Sequence, residues 1–394
     1  MNRRTQSCWA SSADTVGSVD DTLTPFTVDV PPAAVAHMRR RLHDTRWPDP
    51  PTVDDWSQGV PPGVLQEVCR YWADGYDWPA RQARINAFPQ VVTEIDGLPV
   101  HALHVRSPHE GALPLVLTHG WPGSVVEFLE VVGPLTDPED PRDAFSVLVP
   151  SLPGYGWSGR PTTPGWGPAR TADAWAELMR RLGYDRFGAQ GGDIGSFVSA
   201  NLGARHPDRV VGVHLNMVVT PPPEGRGDLD ARGQRALDRM AAFREDGSAY
   251  SHQHRTRPQT LGYGLTDSPA GQCAWILEKF HAWTDSDGDP VGALGVDRIL
   301  DHVSVYWFTG TATSSARMYW EMARAPQERT PRVDVPTGVS MFPEEIFVPP
   351  RAWAERQLTD LRFWREHDSG GHFAAMERPE ELVADVREFF RPLR

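Results

Sequence analysis

The sequence predicts an α/β fold: a mostly parallel central sheet covered on both faces, a helical cap inserted into it, and a meandering N-terminal segment. Three observations carry this. Short apolar runs alternate with amphipathic segments from Val91 to Leu215, the rhythm of buried parallel strands and their crossover helices. That rhythm stops near Thr220 and returns at Thr337, with only helical patterning between. Finally, Gly191-Gly192-Asp193-Ile194-Gly195 joins an apolar run (Tyr184 to Gln190) to a helical segment. Glycines on both sides let the chain turn sharply and push the central side chain out at the top of a sheet.

Each element follows from local pattern. Residues 1–23 are polar, rich in Ser, Thr and Asp, and lack the apolar core of a signal peptide, so a disordered tail is expected. Residues 24–90 are rich in Pro, Trp and Arg. Val35 to Leu42 and Val64 to Trp72 have helical spacing, and the Pro-rich links between them read as turns in a meander that wraps the core. The first part of the core, 91–219, opens with Val91 to Ile95 and Val100 to Val105, a hairpin turning on Asp96-Gly97. Leu113 to Thr118, Phe145 to Val149, Arg186 to Gln190 and Val210 to Leu215 read as strands; Val125 to Val132, Ala172 to Leu182 and Ile194 to Arg205 read as helices. Pro221-Pro222-Pro223 breaks the pattern. The cap, 220–325, holds the helical segments Leu237 to Arg244, Ser268 to Trp283, Asp297 to Gly310 and Ala312 to Ala323. The second part of the core, 326–394, has strands at Thr337 to Met341 and Leu361 to Arg365, and helices at Trp353 to Leu358 and Pro379 to Phe390.

Composition excludes more than it selects. A chain of 394 residues with 40% hydrophobic and 23% charged residues fits a soluble globular protein, as one large domain with insertions or as two to three smaller units. A net charge of −13 argues against nucleic acid or an anionic membrane surface as partner. No run of about 18 apolar residues reads as a membrane span. Cys8, Cys69 and Cys273 are far apart in sequence and lack metal-ligand spacing, as expected of reduced thiols in a cytoplasmic protein. Lys279 is the only lysine, so positive charge is nearly all Arg.

The glycine turn carries the chemistry. Its form is that of the nucleophile elbow of α/β-hydrolases, with Asp193 where Ser is usual. A carboxylate nucleophile makes an ester on the enzyme, which directs it toward carbon electrophiles such as epoxides or alkyl halides. No Gly-x-Ser-x-Gly pentapeptide offers a serine alternative. The strand Leu113 to Thr118 ends in His119-Gly120-Trp121-Pro122-Gly123-Ser124, a turn able to aim backbone N–H groups into a site. In this fold the oxyanion donors would be the N–H groups of Trp121 and Ile194. His372, in Gly370-Gly371-His372-Phe373, stands at the base position in the order nucleophile, acid, base. Among the other histidines, His119 is expected to bond the turn backbone, and His101, His104, His206 and His214 to be surface or satisfied residues. The orienting acid should follow the strand after the cap, where Glu344 and Glu345 are both open by spacing. Opening an epoxide also needs an acid near the nucleophile. Tyr250, Tyr263, Tyr306 and Tyr319 lie in the cap, and spacing alone selects no two of them.

Taken together, these motifs resemble those of microsomal-type epoxide hydrolases over about residues 24 to 392. The resemblance rests on Thr45-Arg46-Trp47-Pro48, His119 to Ser124, Pro150-Ser151-Leu152-Pro153-Gly154-Tyr155-Gly156-Trp157-Ser158, and Gly191 to Ser196. It extends through Asp267-Ser268-Pro269, Ile276-Leu277-Glu278-Lys279-Phe280, Tyr306-Trp307, Thr309-Gly310-Thr311 and Gly370 to Ala375. It implies Glu345 as the orienting acid. It also implies Tyr319, in Arg317-Met318-Tyr319, and Tyr250 as the cap acids, with Tyr263 the fallback for Tyr250. It implies a small-molecule epoxide and water as reactants, a vicinal diol as product, and no metal or organic cofactor. A homodimer is usual for relatives. The N-terminal anchor helix of membrane-bound relatives is not read here. A bulky hydrophobic or aryl epoxide is expected, and relatives that act on polyketide-derived epoxides, enediyne intermediates among them, make a place in antibiotic biosynthesis an expectation too. Two rivals remain: a haloalkane-type dehalogenase, which would hold halide with Trp or Asn N–H groups, and a non-catalytic binding protein of the same fold, which would usually lack a triad member.

Overall fold

The computed structural model describes residues 21–223 and 229–394. Nearly all of the expected N-terminal tail, Cys8 included, lies outside the described residues. A nine-stranded sheet organises the rest, in the order β1-β2-β3-β5-β4-β6-β7-β8-β9. The strands are β1 (Thr24–Phe26), β2 (Gln90–Ile95), β3 (Leu98–Val105), β4 (Leu113–Thr118), β5 (Phe145–Pro150), β6 (Phe187–Gly191), β7 (Val210–Leu215), β8 (Thr337–Met341) and β9 (Leu361–Glu366). The pairs from β1 to β5 through β2 and β3 are antiparallel, and the six strands from β5 to β9 are parallel. The inner strands β5, β6 and β7 are buried at every residue, because helices cover both faces.

Three helices, α1 (Pro32–His43), α2 (Pro62–Asp74) and α3 (Trp78–Asn86), form the N-terminal meander. Each has Pro in its first turn, where the missing N–H costs nothing. The core helices are α4 (Leu129–Thr136), α5 (Pro168–Arg181) and α6 (Ile194–Arg205). Between β7 and β8 come α7 (Ala231–Ala242), α8 (Ala249–Thr256), α9 (Pro258–Asp267), α10 (Pro269–Trp283), α11 (Pro290–Leu294), α12 (Val296–Thr309) and α13 (Ala312–Arg324). The chain closes with α14 (Arg351–Ala354), α15 (Ala374–Glu377) and α16 (Pro379–Phe390).

The meander grips the cap. Trp72 Nε1 donates to Ser304 Oγ at 2.9 Å and Tyr76 OH to Asp301 Oδ1 at 2.8 Å, both on α12. Arg81 donates through both Nε and Nη2 to the Asp301 carboxylate. The free thiols of Cys69 and Cys273 are buried where α2 meets α10. Among the described residues, no helix is long and apolar enough to cross a membrane.

Several elements differ from the sequence expectation. β1 adds a strand from the meander to the sheet edge by pairing with β2. α8 and α9 occupy a stretch with no clear apolar period: α8 is mostly polar, and Gly262 and Gly264 interrupt α9. Their helicity comes from packing against α13. The helix expected at Leu237 to Arg244 ends earlier, at Ala242, and continues as a π turn over Phe243–Gly247. The helix expected at Trp353 to Leu358 is the single turn α14, which starts directly after Pro350.

Candidate active site

The parallel strands end at one edge, and the loops leaving β4, β6, β8 and β9 meet there, the usual place for chemistry in such sheets. Asp193 sits between β6 and α6 with φ 49° and ψ −127°, a conformation that non-glycine residues rarely adopt. The tight turn demands its glycines. A Cβ on Gly195 would lie 1.8 Å from Thr118 O, and one on Gly120 would lie 2.1 Å from Asp193 Oδ1.

Those close approaches put backbone donors on the carboxylate. Trp121 N–H donates to Asp193 Oδ1 at 2.8 Å, and Ile194 N–H also bonds the side chain. The peptide between Trp121 and Pro122 is cis. Oδ2 lies 3.6 Å from His372 Nε2. Burial raises the Asp193 pKa, while His372 and the two N–H groups pull it back.

His372 is buried, and its Nδ1 donates to Glu345 Oε1 at 2.7 Å. A carboxylate can only accept, so this bond fixes the tautomer and leaves Nε2 for Asp193. Burial opposes protonation of the ring, but Glu345 and then Asp193 outweigh it, and the pKa is pushed up to about 9. Of the two adjacent acids, Glu345 is the buried one; its Oε1 also accepts from Ile346 N–H at 2.6 Å. Glu344 points away and pairs with Arg239 at 3.0 Å.

The cap supplies the opposite wall. Tyr250 on α8 and Tyr319 on α13 are buried, and their rings meet edge to face at 5.7 Å. Tyr250 also stacks on Trp121 at 5.0 Å, and Lys279 Nζ lies 4.6 Å from its ring centre. The Tyr319 hydroxyl is buried without a hydrogen-bond partner among the described residues. Burial, and then neighbouring Tyr250 and Asp193, raise its pKa well above the ordinary phenol value, so it keeps its proton and approaches the Tyr250 hydroxyl without forming a well-aligned hydrogen bond. The other cap tyrosines are elsewhere. Tyr263 is 72% exposed, which removes it as the fallback for Tyr250. Tyr306 is buried, and its OH donates to Gly123 O at 2.9 Å. A cavity of about 470 Å³ reaches Asp193, Ile194, Tyr250 and Tyr319.

Among the histidines set aside in the sequence, His119 bonds the turn backbone as expected, through Gly120 O and Leu152 N–H. His101 is satisfied by Ser151 and Gln90, His104 by Tyr184 and His206 by Asp173. His214 bonds Ser340 through Nε2 alone, and its Nδ1 has no partner.

Sequence reasoning missed the clamp on the His372 loop. His372 N–H donates to Trp283 O at 2.9 Å, and Gly370 N–H to Asp285 Oδ2 at 2.7 Å. Glu377 accepts from Phe373 N–H through Oε1 and from Asp285 N–H through Oε2, each at 2.9 Å. The end of cap helix α10 is thereby laced to the loop that carries the base. The only local signal is Glu377 four residues after Phe373, which reads as an ordinary helical acid.

The family described as "Epoxide hydrolase N terminus" matches residues 23–128, and "alpha/beta hydrolase fold" matches residues 114–254. A Stigmatella aurantiaca protein named "Putative epoxide hydrolase" is 51% identical over 94% of this chain and 86% of its own length. "Epoxide hydrolase 1" of Sus scrofa is 33% identical over 97% of this chain and 91% of its own. The solved structure of the Aspergillus niger epoxide hydrolase superposes with a TM-score of 0.87 at 36% identity, covering 96% of this chain and 98% of that one.

Proposed function

This chain belongs to the microsomal-type epoxide hydrolases of the α/β-hydrolase fold, enzymes that open an epoxide to a diol, and on that premise we propose how its own residues divide the work. Asp193 Oδ2 attacks an epoxide carbon and the ring C–O bond breaks. Tyr250 and Tyr319 hydrogen-bond the ring oxygen and give it a proton as it leaves, which yields a hydroxyalkyl ester on Asp193. The observation that carries this reading is the resting carboxylate itself. Oδ1 already accepts from Trp121 N–H, and Ile194 N–H also interacts with the carboxylate, so Oδ1 can become the ester carbonyl oxygen in place and the oxyanion of the second step forms beside donors that need not move.

Esterification also removes the negative charge beside His372. Part of what holds the ring protonated is then gone, its pKa falls, and its proton passes through solvent to the phenolate left by the first step. The neutral Nε2 then takes a proton from the attacking water while Glu345 stabilises the cation. Water attacks Cγ, and the tetrahedral intermediate expels the diol oxygen, which takes that proton from His372. The proton left on the restored Asp193 carboxyl passes to Nε2 and restores the resting ion pair.

The substrate we propose is a bulky, largely hydrophobic or aryl epoxide, in keeping with the Phe197, Met217, Phe243 and Phe347 side chains of the cavity. A place in secondary metabolism, toward polyketide-derived epoxides, is part of the same proposal and rests on the resemblance alone. The test is the intact mass of a His372→Gln variant mixed with styrene oxide. A gain equal to the whole epoxide is expected, since ester formation survives and hydrolysis stalls. No gain from folded protein would sink the division of labour.

A further inference from the structure

The mouth of the cavity is charged in a way that its depth is not. Arg244 just beyond α7, Arg255 on α8, and Arg329 in the turn Pro326–Arg329 all line it, together with His252. Some surface arginines are matched by acids, such as Arg205 with Asp173, Arg232 with Glu366, Arg239 with Glu344 and Arg351 with Glu355. None of the three at the mouth has a carboxylate within ion-pair distance among the described residues. Among the described residues, Asp193, the nucleophile, is the only carboxylate in the cavity lining.

What these arginines do contact leaves their charge available. Arg255 Nη2 lies 2.9 Å from His252 Nδ1, a bond in which the guanidinium donates to a neutral ring. The Arg329 guanidinium lies 5.7 Å from the centre of the Phe197 ring, one of the apolar walls. Burial, and after it the nearby Arg255, lower the Arg329 pKa, while Tyr319 and Tyr250 pull it back up. In a protein of net charge −13 the three arginines make a local inversion of sign beside the cavity that leads to the nucleophile. Guanidinium groups bind carboxylate, sulfate and phosphate through paired N–H donors, and they do so better where water is partly excluded.

We infer that the epoxide taken by this cavity carries an anionic group remote from the ring, a carboxylate in the simplest case, held at the mouth by Arg244, Arg255 and Arg329 while the apolar middle lies on Phe197 and Phe347. This deepens the proposed epoxide-opening role and rests on it. The anion would fix which end of the molecule enters first, and so which ring carbon meets Asp193.

The test compares two acids, styrene oxide bearing a para carboxylate and a terminal epoxy fatty acid, each with its methyl ester. At low ionic strength at least one acid should exceed its ester in kcat/KM by about tenfold or more, as expected of a charge-assisted contact. The acid-to-ester ratio should fall toward one near 0.5 M salt, where roughly 4 Å of screening length remains. It should fall likewise in a variant combining Arg244→Gln, Arg255→Gln and Arg329→Gln. The control Arg142→Gln, an exposed residue paired with Asp140, should keep the wild-type ratio. Esters opened as fast as the acids, or a ratio that survives the triple variant, would overturn the inference while leaving the epoxide-opening roles intact. If none of the four epoxides is opened by folded protein, the proposed substrate class fails and takes this inference with it.

Discussion

The two walls of the cavity are built on opposite rules. On the sheet side, the groups proposed to react are held by fixed partners: Asp193 by two backbone N–H groups, His372 by Glu345, and the His372 loop by Trp283, Asp285 and Glu377. On the cap side, the buried Tyr319 hydroxyl makes no well-formed hydrogen bond, and the arginines at the mouth lack carboxylate partners among the described residues. Groups whose bonds change during reaction need an environment that does not reorganise. Groups that must receive a ligand need vacant donors. A buried, unsatisfied hydroxyl costs about 1–3 kcal/mol, which is tolerable where an incoming oxygen completes it.

The contrast is broken first at the nucleophile. Asp193→Ala should lower kcat by about 10⁴-fold or more, since no neighbouring carboxylate lies on the oxyanion donors. In wild-type enzyme under single turnover in ¹⁸O-water, the label should enter the Asp193 carboxylate and not the diol, because water attacks Cγ. Label in the first-turnover diol would mean direct attack on the epoxide.

Next come the adjacent acids, which differ only in the side of the wall they serve. Glu345→Gln should reduce kcat by about 10²–10⁴-fold and lower the His372 pKa from its value of about 9, because the dominant charge favouring the imidazolium is removed. Glu344→Gln loses only an exposed pair with Arg239 and should stay within about twofold of wild type. Equal effects from the two, read by pre-steady-state kinetics and ring NMR, would undo the assignment of Glu345.

On the cap side the expected signature is a split between activity and stability. Tyr319→Phe should lower kcat by about 10–100-fold, through loss of one donor to the ring oxygen. It should leave Tm close to that of wild type, because the deleted hydroxyl makes no well-formed hydrogen bond among the described residues beyond its approach to Tyr250. A Tm that falls along with kcat would show that the hydroxyl is structural.

The same contrast explains what could be read from the sequence. Asp193, His372 and the His119–Ser124 turn are placed by short-range backbone geometry, and glycines forced by close approach leave a local imprint: Gly195 against Thr118 O, Gly120 against Asp193. Strands β4 and β7 and helices α6 and α16 were legible to the residue, because their burial is set by period. The cap was less so. Tyr250 and Tyr263 sit 13 residues apart in the cap, yet one is buried and the other 72% exposed. That choice is made by the packing of α8 and α9 on α13, which no local pattern encodes. Spacing left Glu344 and Glu345 open and only the resemblance implied Glu345; in the structure Glu345 is the buried one and Glu344 pairs with Arg239. The clamp on the His372 loop and the arginine mouth both join segments roughly a hundred residues apart, and were invisible for the same reason.

The smallest expected effect is on pH-dependent stability, and it sets the site histidine against the structural ones. His101, His254 and His302 are buried and held neutral, with pKa values lowered to about 3, and His119 and His214 are lowered to about 4. For these the unfolded chain binds protons more readily, so the stability they confer is present above pH 6.5 and is lost as pH falls below it. His372 has the opposite sign. Its folded pKa of about 9 exceeds the unfolded value of 6.5, so its contribution is complete below pH 6.5 and is lost as pH rises through 9. The stability of wild-type protein minus that of His372→Gln, measured by urea unfolding, should therefore be flat up to about pH 6.5 and decline steadily toward pH 9. A difference that stays flat over that interval and falls only below pH 6.5 would mean that His372 is neutral in the resting enzyme, and that the ion-pair arrangement with Asp193 and Glu345 does not exist in solution.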